Sequence, residues 1–293
     1  MRKWLCILLL AVGCQSVASA EDGWGVEHKN MLNARGGFVW LQDQYLSPLL
    51  YSGYQVGLGN EWWQGFKDTP SKSRYVRRRY NPPLKRSVLK MDWLHMGKID
   101  VDYGWCYSDT YTNLIHSLGI NGGWGACYSW KWLHPKLELF VGPYLDVNVM
   151  GKLHVSNVNK PYSMDFSVNA CAMGGASWSF MCKKKGYIYR LRYLGRLNVI
   201  GMDYLPDYWH SYFEMGEGVF GDFRCAGLWN HRHFQQELTF DMQFTRSAWR
   251  IGARHEYLEY GTSNMMFSRE SVSVILGCIW QYKVKPTNSF FEL

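Results

Sequence analysis

From Val88 to Ser108 the chain changes character at every residue. Odd positions include Leu89, Met91, Trp93, Ile99, Val101, Tyr103, Trp105 and Tyr107, while even positions include Lys90, Asp92, Lys98, Asp100 and Asp102. Successive side chains of an extended strand point to opposite faces, so this run specifies a strand with one oily face and one charged face. Strands of soluble sandwiches commonly stop after ~5–6 residues, whereas the tilted strands of a membrane barrel run on past the bilayer. The expected fold is all-β, an antiparallel transmembrane-type β-barrel with a polar interior.

The same pattern recurs along the chain. Leu50, Ser52, Tyr54, Val56, Leu58, Asn60 and Trp62 alternate with Tyr51, Gly53, Gln55, Gly57, Gly59 and Glu61. In Tyr187 to Val199 the aromatic and aliphatic residues alternate with Arg190, Arg192, Arg196 and Asn198. Acids and arginines brought together inside a narrow barrel form a salt-bridged core, not an open pore. Alternating segments fall at 31–41, 50–66, 87–108, 114–131, 137–154, 163–180, 187–200, 209–217, 222–230, 234–246, 248–260 and 271–284, about twelve strands. The first and the pair near 209–230 alternate most weakly; losing two leaves ten. No linker, repeat or low-complexity tract divides residues 21–293, which read as one barrel domain.

Composition agrees with interleaving. The chain is 47% hydrophobic and 17% aromatic, with 15 Trp and 20 Tyr, yet its mean hydropathy is negative. Residues 1–20 read as a signal peptide: Arg2 and Lys3, an apolar run from Trp4 to Val12, and Ala18-Ser19-Ala20 before Glu21. Ala11-Val12-Gly13-Cys14 offers the alternative of a lipobox without its usual leading Leu. The apolar run is too short to span a bilayer as a helix. Without Arg2 and Lys3 the net charge falls from +8 to +6 (8 − 2), a modest excess that suits a solvated rim. Cys106, Cys127, Cys171, Cys182, Cys225 and Cys278 lie outside the leader with no metal-type spacing, so export permits disulfides without specifying them.

Six stretches carry a family likeness: Tyr45–Gly53, Trp124–Trp130, Val141–Val147, Asn157–Pro161, Tyr212–Met215 and Leu228–Arg232. Together they resemble a family of exported Bacteroidota proteins catalogued as a domain of unknown function. The resemblance implies an outer-membrane barrel-like fold and brings no established activity with it.

Candidate chemistry is sparse. His154-Val155-Ser156-Asn157 resembles the His-x-Ser-Asn motif of outer-membrane lipid hydrolases, the phospholipase and lipid A deacylase barrels. Two-residue periodicity puts His154 beside Ser156 as base and nucleophile, with Asp165 or Asn169 to orient the imidazole. With twelve strands and periplasmic termini the motif lies at the outer end; with ten starting at Leu50 it faces the periplasm. The surrounding Asn/Pro run reads naturally as a hairpin loop, which is the preferred reading.

Two other groups are candidate ligand sites. The basic loop Lys67–Arg86, with Arg77, Arg78 and Arg79 among its cations, suits an anionic glycan or phosphate, against the plainer reading of a solvated loop. Trp209 and Tyr212, in Asp207–Glu214, suit sugar stacking, against the plainer reading of an interfacial girdle.

Asn230-His231-Arg232-His233 lacks the ligand spacing of a metal site, and no nucleotide or nucleic-acid motif occurs, so neither cofactor nor nucleic acid is expected. Gly277, Trp280 and Tyr282 resemble the terminal-strand signal read by the outer-membrane assembly machinery. That machinery, outer-membrane lipid and lipopolysaccharide are the expected partners. Three functional readings follow: a non-catalytic barrel for surface binding, envelope architecture or limited solute passage; a Ser-His lipid hydrolase in the same barrel; and a secreted glycan-binding β-sandwich.

Overall fold

The computed structural model describes residues 26–66, 91–110, 112–130, 137–157, 161–182, 187–204, 223–244, 247–262 and 265–284. They form β1 (Val26–Asp43), β2 (Ser47–Phe66), β3 (Met91–Ser108), β4 (Leu114–Trp130), β5 (Leu137–His154) and β6 (Tyr162–Cys182). β7 (Tyr187–Tyr204), β8 (Phe223–Gly227), β9 (His231–Gln243), β10 (Ala248–Thr262) and β11 (Met265–Val284) complete the order. Each strand pairs antiparallel with its neighbours, and β1 pairs with β11 over its whole length, so the sheet closes on itself. A single closed ring overturns the reading as a two-sheet soluble sandwich.

The ring has ten staves, because β8 and β9 share one. Both pair with the same edge of β7: Ile188–Leu197 with β9, and Ile200–Tyr204 with β8. Between them Leu228–Asn230 make a turn that leaves the ladder and re-enters it. Asn230 holds that turn, its Oδ1 accepting from the Gly227 N–H and its Nδ2 donating to the Cys225 carbonyl, each at 2.8 Å. The expected segment 222–230 is therefore a short continuation of β9, and the expected segment 209–217 lies outside the described residues. The weakly alternating first segment is a full stave of 18 residues.

Register partners give the slant of the staves. From Gln236 one way round, His255, Val272, Phe38, Tyr54, Trp105 and His116 lead to Leu153 on β5. The other way round, Gly195 and Gly174 lead to Val141 on that same strand. The shear is thus 153 − 141 = 12 residues. Ten staves about 4.8 Å apart, with about 3.4 Å per residue, then tilt by about 40°, the slant common in barrels of this kind.

The two faces divide as the alternation requires. Outward lie large apolar side chains such as Tyr54, Leu58, Ile99, Leu145, Leu191 and Leu276, all at least two-fifths exposed. Inward lie Arg35, Lys98, Asp100, Asp146, Arg196, Glu237 and Arg254, all buried. Two apolar layers also face inward. Leu41, Tyr51, Ile115, Leu258 and Phe267 pack together towards the β1–β2 turn. Met31, Trp63, Met96, Phe140 and Met173 pack together towards the end where β1 begins. Charges occupy the middle.

Candidate functional site

Among the described residues, the lumen brings together chemistry-bearing side chains from β1, β2, β3, β5, β7, β9 and β10. Asp100 on β3 is met by Arg35 of β1 at 2.5 Å, Lys98 at 3.1 Å and Arg254 of β10 at 3.0 Å. Glu237 on β9 faces Lys98 and Arg254 at 3.5 and 3.0 Å. Glu61 on β2 accepts from Arg192 at 2.7 Å and Arg250 at 3.0 Å, and Arg250 also binds Asp241 at 2.6 Å. A second group joins Arg196 and His233 to Asp146 at 2.9 and 3.4 Å, with Glu256 3.3 Å from the other His233 nitrogen. Arg192 and Arg196 lie over the rings of Trp63 and Tyr144 at 4.8 and 4.5 Å. Charges taken out of water persist only when paired and hydrogen-bonded, and these partners supply that condition for one another.

A smaller polar chamber lies beside the apolar layer near the β1–β2 turn. Lys152 is wedged between Asp43, at 2.5 Å, and Asp165, with its ammonium 3.9 Å from the centre of the Phe267 ring. The Tyr260 hydroxyl donates to Asp165. His231 binds Asp203 at 2.7 Å and stacks on Tyr260 at 5.5 Å. Asn148, Asp165, Ser167, Asp203, His231 and Tyr260 line a small cavity there, with room for about one water molecule.

The four residues of the alternative Ser-His hydrolase reading are placed as follows. His154 is buried and its Nε2 lies 2.8 Å from the Tyr51 hydroxyl. Ser156 is exposed in the turn that follows β5. The physical reason is local: alternation holds only while the strand lasts, and β5 ends at His154. Beyond it the Asn157 amide donates to the Leu46 carbonyl at 2.8 Å and fastens the turn to the β1–β2 connection. Asp165 is held by Lys152 and Tyr260, and Asn169 donates to Ser167 at 3.2 Å, while the His154 Nδ1 has no hydrogen-bond partner among the described residues. Arg77, Arg78, Arg79, Trp209 and Tyr212 lie outside the described residues. Among the described residues no group of three or more His, Cys, Asp or Glu is placed to hold a metal ion. Cys106, Cys127, Cys171, Cys225 and Cys278 are free thiols.

A family model for proteins of unknown function matches residues 3–285. The chain belongs to the DUF3316 family. No curated protein matches its sequence. Solved structures similar to this DUF3316 chain include the transport unit of the autotransporter AIDA-I from Escherichia coli, at 9% identity and TM-score 0.41 over 94% of this chain and 96% of that one. The translocator domain of the autotransporter NalP from Neisseria meningitidis is similar at 10% identity and TM-score 0.33, over 94% of each chain. The P. putida toluene transporter TodX is similar at 8% identity and TM-score 0.24, over 92% of each chain. These likenesses are too slight to argue from; the closed ladder itself defines the DUF3316 barrel.

Sequence reasoning missed the inward apolar layers and the Lys152 chamber. Met31, Val39 and Leu41 share the inward rows with Asn33, Arg35 and Asp43. Inward residues of both kinds follow each other at every second position, so alternation alone marks the face without marking the layer.

Proposed function

We propose that this DUF3316 member is a closed outer-membrane barrel that serves envelope architecture or surface binding, and neither conducts solutes nor hydrolyses lipid. Export by the residue 1–20 leader, folding by the assembly machinery and contact with lipopolysaccharide belong to the same reading. The observation that carries it is the filled lumen: Lys98, Lys152 and Arg250 are no more than 2% exposed, and an apolar layer lies on either side of the charged middle. A conduit needs water along its axis, as wide porins have. A barrel whose outward rows are apolar has its natural surroundings in a bilayer, because each row presents side chains that water would not stabilise. The closing strand, with Gly277 and Trp280, supports recognition during assembly.

The test is reconstitution of the full chain. The expected result is an outer-membrane fraction whose unboiled and boiled samples migrate differently, and planar bilayers without unitary current steps. Steady conductance through the wild-type barrel, or a chain that stays soluble without detergent, overturns the proposal.

A further inference from the structure

Among the described residues, the ion-paired groups balance in the middle of the lumen and fail to balance in the Lys152 chamber. In the central network five cations, Arg35, Lys98, Arg192, Arg250 and Arg254, meet five acids, Glu61, Asp100, Asp102, Glu237 and Asp241. Around His233, Arg196 and Arg269 stand against Asp146 and Glu256. The chamber holds Asp43, Asp165 and Asp203, all buried, against Lys152 alone. A proton on His231 would still leave two positive charges against three negative ones. Residues 205–222, which follow Asp203 in the chain, contain no Lys or Arg. Buried charge without a counter-charge is costly, so this imbalance calls for a cation from outside the chain.

Unpartnered atoms mark where such a cation fits. His231 Nε2 and Asp203 Oδ1 have no hydrogen-bond partner among the described residues. Both side chains are no more than 4% exposed, and both line the cavity with room for about one water molecule. His231 Nδ1 lies 2.7 Å from Asp203 Oδ2. In the neutral ring Nδ1–H donates there, which leaves Nε2 as a lone-pair acceptor. The two orphans are therefore both acceptors, and whatever fills the cavity must satisfy them. Asp165, Asn148 and Ser167 add oxygen atoms to the same lining. The chamber is built from strand ends: Asp43 closes β1, Asp203 lies one residue before the end of β7, and His231 opens β9. It thus stands at one mouth of the ring.

We propose that this chamber is a binding site for one small monovalent cation, ammonium or potassium. The cavity admits an ion no larger than a water molecule. Among the described residues no three His, Cys, Asp or Glu are placed to hold a metal ion together, which excludes the carboxylate-rich shell of a divalent cation. Ammonium is close to water in size and donates hydrogen bonds as water does, so it suits His231 Nε2 and Asp203 Oδ1. Potassium is of similar size and takes the oxygen atoms of Asp203, Asp165, Asn148 and Ser167. Either ion ties Asp165 of β6 and Asp203 of β7 to the start of β9, where the stave shared by β8 and β9 is interrupted. The inference goes beyond the envelope role above and needs only the closed ring, so it stands or falls apart from the membrane reading.

The test uses the full chain folded in detergent micelles, with thermal unfolding followed at one pH and one ionic strength in ammonium, potassium or choline chloride. Choline is too large for the cavity and sets the baseline. Ammonium or potassium is expected to raise the midpoint by about 3 °C or more, saturating with concentration, as binding to the folded state requires. The salt with the larger rise identifies the preferred ion. Asp203→Asn is expected to abolish the response and to raise the midpoint in choline, because it removes an uncompensated buried charge; loss of an ordinary pair partner would lower it. Lys160→Ala, which removes the one cation of residues 158–160 between β5 and β6, is expected to keep the response. In crystals, thallous ion, a heavy stand-in for both cations, is expected to give an anomalous peak between His231 and Asp203. The salt series and this peak decide the matter on the wild-type chain even if Asp203→Asn fails to fold. Equal midpoints in the three salts, or a cavity without the thallous peak, overturns the inference and leaves a buried water only. A midpoint that moves with pH and not with the cation overturns it as well, since a proton then compensates the charge.

Discussion

Glu61 illustrates what a single residue does in this lumen. Its carboxylate accepts from Arg192 at 2.7 Å, from Arg250 at 3.0 Å and from the Trp63 indole, at 1% exposure. Glu61→Gln preserves the shape but leaves two buried guanidinium groups facing a neutral amide. Breaking a buried pair from one side costs about 3–5 kcal/mol, more than the pair itself is worth against an apolar replacement. Denaturant unfolding in lipid vesicles should show a loss of that size, with the strand signal intact before the transition. Arg232→Ala is the contrast: its pair with Glu259 sits at 57% exposure of the arginine side chain, where such pairs contribute less than about 1 kcal/mol. Equal losses in the two variants would show that the lumen is not desolvated. The sequence identified Arg192 as inward-facing but gave no hint of its partner, because Glu61 lies 131 positions away.

The interrupted stave shows the limit of periodicity at the scale of an element. Turn-forming residues between two alternating runs mark a break, and the natural reading is a reversal into a new strand. Here the turn at Leu228–Asn230 bulges out and the chain resumes along the same edge of β7. What keeps it short is Asn230, which satisfies the Gly227 N–H and the Cys225 carbonyl as a local side-chain-to-backbone clamp. Asn230→Ala should cost about 1–3 kcal/mol, the range for orphaning backbone groups. Amide hydrogen exchange should quicken over residues 223–230 and stay slow in the middle of β9. Unchanged exchange over β8 would show that the ladder to β7 holds the segment unaided. His154 and Ser156 teach the same lesson at a strand end, where the rule of two that would align them expires after His154.

For the whole molecule the deciding surface is the outside. Leu58 is 62% exposed and lies midway along β2 between Tyr54 and Trp62 of the same outward row. Leu58→Arg should destabilise the barrel in bilayers by about 2–4 kcal/mol, the cost of an arginine on the lipid face near the midplane. Unfolding titrations in vesicles measure it directly. A loss under about 0.5 kcal/mol, the range of ordinary surface changes, would place Leu58 in water and not in hydrocarbon.

The sequence by itself determined which side of each strand is oily and which is charged, because backbone geometry sends neighbouring side chains to opposite faces without reference to anything distant. That was enough for a barrel with a polar interior and for most stave boundaries, as in Leu137–His154, predicted and found with the same ends. The tertiary structure alone decided the number of staves, the shear, and the partners. Arg254 finds Asp100 across 154 positions, and Lys152 finds Asp43 only once the ring has closed. Pairing of that kind depends on how far each strand slides against the next, a quantity set by closure of the whole ring and not encoded in any one segment.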